Sequence, residues 1–139
     1  MRNLERLNSI LLIDDDEINN ILHSVFINKL DLDLQVNTVL NGQEGIDFIM
    51  GKDLELPCMV MLDLKMPIMD GWEFMKAYEE SVPKELKEQI TIVLVTTSDN
   101  EEDKDRAEVN EFIDDFSQKP LSDDTFRHLI QSHFNLAAI

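Results

Sequence analysis

Three consecutive acids, Asp14, Asp15 and Asp16, follow the apolar run Ile10–Ile13. Asp63 follows a second apolar run, Cys58–Leu62, Thr96 follows a third, Ile90–Val95, and Lys119 comes shortly after the stretch Ile113–Phe116. Acids, a hydroxyl and an amine at the ends of separate buried runs form a phosphoryl-transfer set. Two carboxylates about 4 Å apart repel by roughly 4 kcal/mol at an effective dielectric near 20. A divalent cation removes that cost, and an oxygen-only donor set with few protein ligands suits Mg²⁺ or Mn²⁺. A carboxylate such as Asp63 is a competent nucleophile toward phosphorus and yields an acyl phosphate. Lys119 brings a mobile positive charge for phosphoryl oxygens, and Thr96 brings a hydroxyl donor.

These residues need a scaffold that gathers strand ends. Apolar runs and helical patterns alternate along the chain. The run Ile10–Ile13 predicts a buried strand, and Ile18, Ile21, Leu22, Val25 and Phe26 then recur with helical spacing. Leu34–Leu40 alternates in part, as a strand nearer a sheet edge does, and a helix is expected over Gln43–Met50. After the strand that ends before Asp63, a turn-rich stretch leads to a helix near Trp72–Glu80. Asp70 and Glu73 are spaced as a capping box at its start. Trp72, Phe74, Met75 and Tyr78 are its expected packing residues. Ser98 and Glu101 suggest a second box, opening an acidic helix. In the last helix Ser122 is the expected cap, and Phe126, Leu129, Ile130 and Phe134 share a face. Five strands alternating with five helices predict an α/β, doubly wound, five-stranded parallel sheet. Such a sheet binds ligands beyond the carboxyl ends of its strands, at a switch in strand order that the sequence does not disclose.

Composition narrows the function. Twenty-nine acidic residues against 12 Lys and Arg give a net charge of −17. That balance, with no basic stripe, argues against nucleic-acid binding and against docking on anionic membranes. The lone Cys58 lies within an apolar run and reads as a buried hydrophobe. The first apolar run is too short for a signal peptide or a membrane span, so a cytoplasmic protein is expected. Residues 1–139 read as one domain with a core over about 7–136 and no output domain attached. His23, His128 and His133 lack ligand spacing and read as ordinary helix positions.

Four motifs now resemble a known family, the receiver domain of CheY-like two-component response regulators. They are ILLIDDD over Ile10–Asp16, MLDLKMPIMDG over Met61–Gly71, VLVT over Val93–Thr96 and FSQKP over Phe116–Pro120. The second, with Asp63, Pro67 and Gly71 at intervals of four, is the most specific. The resemblance implies a flavodoxin-like fold and a phosphoacceptor role for Asp63. It implies a metal site formed by Asp14, Asp15, Asp63 and the backbone carbonyl of Lys65, with Asp15 the more direct ligand of the acidic pair. Thr96 and Lys119 would hold the phosphoryl group, and Lys119–Pro120 would be a cis peptide. Phe116 takes the switch-aromatic position but lacks the hydroxyl of a tyrosine. Lys65 and Ser98 flank the site as possible tuners of phosphoryl lifetime, and Asp16 reads as a cap or rim residue.

The implied partners are a sensor histidine kinase or a histidine phosphotransfer protein, which donates the phosphoryl group. A downstream protein is expected on the face made by the fourth helix, fifth strand and fifth helix of the family fold. The chain would thus be a phosphoacceptor that promotes its own Mg²⁺-dependent phosphorylation and dephosphorylation, not an enzyme acting on other substrates. With no output domain, the signal passes by protein contact or by relay of the phosphoryl group. The stretch Asp99–Asp124 carries eleven acids against Lys104, Arg106 and Lys119. It reads either as a solvated face or as a docking surface for a basic partner. A phosphatase of the haloacid dehalogenase type shares the Asp, Thr, Lys and Mg²⁺ set, and Asp14 and Asp16 even give its Asp-x-Asp start. It leaves the Asp63, Pro67, Gly71 spacing unexplained, and Ile18 stands where that family has Thr or Val.

Overall fold

A computed structural model describes residues 6–97 and 100–134. Five strands and six helices follow one another in the order β1 (Ser9–Ile13), α1 (Glu17–Asn28), β2 (Gln35–Val39), α2 (Gly42–Ile49), β3 (Cys58–Asp63), α3 (Gly71–Ser81), α4 (Lys84–Lys87), β4 (Ile90–Thr96), α5 (Glu101–Glu108), β5 (Asp115–Gln118) and α6 (Asp123–His133). All strand pairs are parallel and the order across the sheet is β2-β1-β3-β4-β5. The chain therefore leaves β1 toward one edge and β3 toward the other. Their shared carboxyl end is the switch point.

Alternation along the strands divides the core in two. Leu11, Ile13, Val60, Leu62, Ile92 and Leu94 point to the face covered by α2, α3 and α5, where Ile46, Ile49, Phe74, Tyr78 and Ala107 meet them. Ile10, Leu12, Met59, Met61, Val93 and Val95 point to the opposite face, against Ile27 of α1 and Phe126, Leu129 and Ile130 of α6. Both faces are thus covered, which is why β1, β3 and β4 read as near-continuous apolar runs, interrupted in β4 only by buried Thr91. Full burial of a side chain such as Phe126 favours folding by about 1.5–3 kcal/mol.

Helix starts follow local chemistry. Asp70 and Glu73 form a reciprocal capping box on α3, and Ser122 with Thr125 forms one on α6. Asp16 caps α1 by accepting from the backbone N–H of Ile18 and Asn19. The expected Ser98–Glu101 box is replaced. Asn100 caps α5 by accepting from Glu102 N, which puts Glu101 at the first helical position, too early to reach back as a box partner. Ser98 itself lies outside the described residues.

Two more expectations are revised. Among the described residues there are six helices, not five, because one turn at Lys84–Lys87 follows Pro83. Four residues are too few to display a helical period. The face expected on the fourth and fifth helices is accordingly that of α5, β5 and α6. Strand β5 starts at Asp115, two residues later than Ile113, since Asp114 closes onto β4 with its N–H donating to Ile92 O and its carboxylate accepting from Ile92 N. The apolar stripe of α1 faces outward, with Ile18 76% and Ile21 60% exposed alongside Leu22 and Val25. The helix instead buries Asn20, His23 and Ile27.

Among the described residues no helix is long and apolar enough to cross a membrane.

Candidate functional site

The loop between β3 and α3 is built by close approach. Gly71 N donates to Leu64 O at 2.8 Å. A Cβ on Gly71 would lie 2.9 Å from Leu64 Cα and 3.1 Å from the Asp63 carbonyl oxygen, both backbone atoms that cannot step aside. Glycine therefore lets α3 begin against the strand end that carries Asp63, which gives the Asp63-to-Gly71 spacing a physical reason. Within the loop, Met69 N donates to Pro67 O at 2.7 Å around Ile68, whose φ of 69° lies in the left-handed region. A β-branched residue rarely adopts it. Met69 is held in turn against Gly42 at the start of α2, where Gly42 N donates to Met69 O. Lys65 is exposed on this loop and Ile68 is 80% exposed.

At the switch point Asp14 and Asp63 are buried and Asp15 is exposed, and each offers a carboxylate oxygen within 4.8 Å of the others. Asp14 is fixed on both sides: its Oδ1 accepts from Asp16 N at 2.9 Å and its Oδ2 from Lys119 Nζ at 2.8 Å. Lys119 Nζ also lies 3.3 Å from Asp63 Oδ1. The Lys119–Pro120 peptide is cis, as is Leu56–Pro57. Thr96 is buried at the end of β4, one residue past the partner of Asp63 in the strand register. Its carbonyl accepts from Lys119 N at 2.8 Å, so the hydroxyl-bearing and amine-bearing residues share a backbone bond.

Charge balance at the site is uneven. Burial pushes the Asp63 carboxyl up to about 6; Lys119 pulls it down, while Asp14 and Asp15 add to the rise. Burial by itself would lower the Lys119 ammonium, but the hydrogen bond to Asp14 and the charge of Asp63 outweigh it and hold the group above its ordinary value. One cation thus faces three carboxylates. The remaining negative charge and the all-oxygen donor set fit a hard divalent cation such as Mg²⁺ or Mn²⁺.

Two polar residues beneath the site carry no readable signal in the sequence. His23 is buried with its ring edge-on to Phe126 at 5.6 Å. Burial and then Lys119 lower its basicity, so it is neutral at neutral pH. Asn20 is 2% exposed and donates to two backbone carbonyls. On the far side of the sheet Phe116 is half-buried and lines an open groove of about 580 Å³ between α5 and β5. Glu101, Glu108, Asp114 and Asp115 line the same groove, with Lys104 among them. Arg106 of α5 reaches over the ring of Trp72 on α3, 4.2 Å from its centre.

Comparison with known proteins gives this geometry its class. The family model for the response regulator receiver domain matches residues 10–131. The chain is 31% identical over 113 residues to two-component response regulator 24 of Arabidopsis thaliana, covering 81% of this chain and 73% of that protein. It is 28% identical over 125 residues to the probable methanogenesis regulatory protein FilR2 of Methanothrix harundinacea, covering 88% and 78%. A two-component response regulator from Cytophaga hutchinsonii superimposes with a TM-score of 0.78 at 24% identity, over 92% of this chain and 97% of that one. The chain belongs to the response regulator receiver domain family, and its setting is two-component signal transduction.

Proposed function

We propose that Asp63 accepts a phosphoryl group from a phosphohistidine on a histidine kinase or histidine phosphotransfer protein. The convergence of Asp14, Asp15 and Asp63 around the Lys119 ammonium carries this reading. A carboxylate oxygen of Asp63 bonds to phosphorus as the histidine N–P bond breaks, and the released imidazole nitrogen takes up a proton. Asp14, Asp15, Asp63 and the Lys65 carbonyl would hold the divalent cation, which would supply positive charge for the phosphoryl oxygens. Lys119 orients the oxygens of the transferred phosphoryl group, and the Thr96 hydroxyl donates to one of them. Phe116 then moves into the space that Thr96 leaves. Its ring is the link to the acidic groove of α5 and β5, where a basic partner fits the charge. Exposed Lys65, two residues from Asp63, is placed to tune hydrolysis of the acyl phosphate.

Acetyl phosphate with Mg²⁺ is expected to give a hydroxylamine-labile phosphoryl adduct, seen by intact mass. A protein refractory to small donors is to be labelled by a phosphorylated kinase. Steady hydrolysis of varied phosphomonoesters with no adduct would instead make it a phosphatase.

The outward stripe of α1 bears on the donor. It begins at Ile18, four residues after Asp14, and exposed Ile68 follows the adjacent strand β3. We place the phosphodonor protein on this apolar rim. Ile21→Asp combined with Leu22→Asp is expected to slow transfer from a kinase that labels the wild type by about 10-fold, which is roughly 1.4 kcal/mol. Labelling by acetyl phosphate should stay within about two-fold, because exposed substitutions change stability little. Equal slowing with both donors counts against the assignment.

A further inference from the structure

Asn20 occupies a place on α1 where an apolar side chain would be expected. It is 2% exposed, and both hydrogen-bond donors of its amide are committed. Nδ2 donates to the Asp14 carbonyl at 3.0 Å and to the Val39 carbonyl at 3.3 Å. Val39 O also accepts from Asp14 N at 3.2 Å. One side-chain amide therefore joins the carboxyl ends of β1 and β2 directly beneath the acidic turn. The cost is visible as well, for Oδ1 is buried and finds no partner among the described residues. A buried acceptor left unsatisfied is unfavourable, and a leucine, with the same branched skeleton, would avoid it. The two carbonyl bonds are what the amide provides in exchange.

Those bonds act where repulsion is concentrated. Asp14, Asp15 and Asp63 crowd their oxygens within 4.8 Å, and the repulsion of like charges works against the closed β1–α1 turn. The Asp14 carboxylate is tethered by Asp16 N and Lys119, and its backbone is tethered by Asn20. Fixing the Asp14 carbonyl sets the directions in which the Asp14 and Asp15 side chains leave the chain. Resting on the receiver reading above, we infer that Asn20 is a positioning residue for the divalent-cation site, acting through the backbone of Asp14. Partners one step removed from a metal commonly change its affinity by about 10–100-fold when lost.

The test is calorimetric titration of Mg²⁺ into the full chain, well below the melting temperature, with folding checked by circular dichroism. Asn20→Leu keeps the branched skeleton and removes both donors, and is expected to weaken Mg²⁺ binding about 10-fold or more. Asn20→Ala should do the same and decides the matter if the leucine variant does not fold. Ser24→Ala is the control. It deletes the 2.8 Å bond from Ser24 Oγ to the Asn20 carbonyl, on the same helix and away from the acids, and should keep wild-type affinity. Labelling by acetyl phosphate should slow in the Asn20 variants at low Mg²⁺ and recover at saturating Mg²⁺, which a general loss of structure does not produce. Wild-type affinity in a folded Asn20 variant overturns the inference. Failure of the wild type itself to bind Mg²⁺ overturns the receiver reading on which it rests.

Discussion

Asp63→Asn is expected to take up no phosphoryl group from any donor that labels the wild type, with the loss reaching the detection limit by intact mass. The amide that replaces the carboxylate is not a nucleophile toward phosphorus, and the other two acids are poor substitutes. Asp14 has one oxygen on Asp16 N and the other on Lys119. Asp15 is exposed to solvent, whereas Asp63 is buried at the strand end. Burial and position therefore select the same residue. In the metal-free protein burial raises the Asp63 carboxyl to about 6, so the carboxylate gives way to the neutral acid as pH falls through that value. Hydroxylamine-labile label persisting in Asp63→Asn would place the acceptor on another side chain.

The same substitution is expected to stabilise the metal-free protein at high pH. In the unfolded chain Asp63 has its ordinary value of 3.8, and in the folded chain burial raises it to about 6. The native state thus holds that proton more tightly than the unfolded state does. The associated stability is fully present below about pH 4 and is lost as pH rises through about 6. Above that point the ionised carboxylate costs up to about 3 kcal/mol, and partial contact with water makes about 2 kcal/mol the better expectation. Urea unfolding with a chelator present should show Asp63→Asn more stable by that amount near pH 8. The advantage should shrink through pH 6 and vanish near pH 4. Every other charged group is present in both proteins, so the difference reports Asp63 together with its coupling to Lys119, Asp14 and Asp15. Adding Mg²⁺ should stabilise the wild type at pH 8 and leave Asp63→Asn nearly unmoved. An advantage that is constant with pH would point to packing, not charge.

Much of the site could be read in the sequence because β1, β3 and β4 are buried on both faces. Their near-continuous apolar runs mark where each strand ends, so Asp14, Asp63 and Thr96 stand out as the polar residues that close them. Lys119 was harder, since β5 is a half-buried edge strand whose start shifted from Ile113 to Asp115. Helix α1 shows what periodicity leaves out. Ile18, Ile21, Leu22 and Val25 reveal a helix, but a regular apolar stripe does not say which side meets the core. Here the buried side contains Asn20 and His23, because the end of β1 needs donors for its carbonyls more than it needs another aliphatic group. Nothing in the pair Asn19–Asn20 tells which of the two turns inward; the helical angle from the Asp16 cap decides it.

The contact between Arg106 and Trp72 gives the molecule a native optical gauge. Trp72 is the chain's single tryptophan, so its ultraviolet emission comes from one place. That place is the second residue of α3, beside the glycine whose N–H donates to the Leu64 carbonyl just past Asp63, and its aromatic face is covered by a guanidinium carried on α5. Emission colour and intensity depend on what covers an indole. Light from this one ring therefore registers the spacing of α3 and α5 without any attached dye.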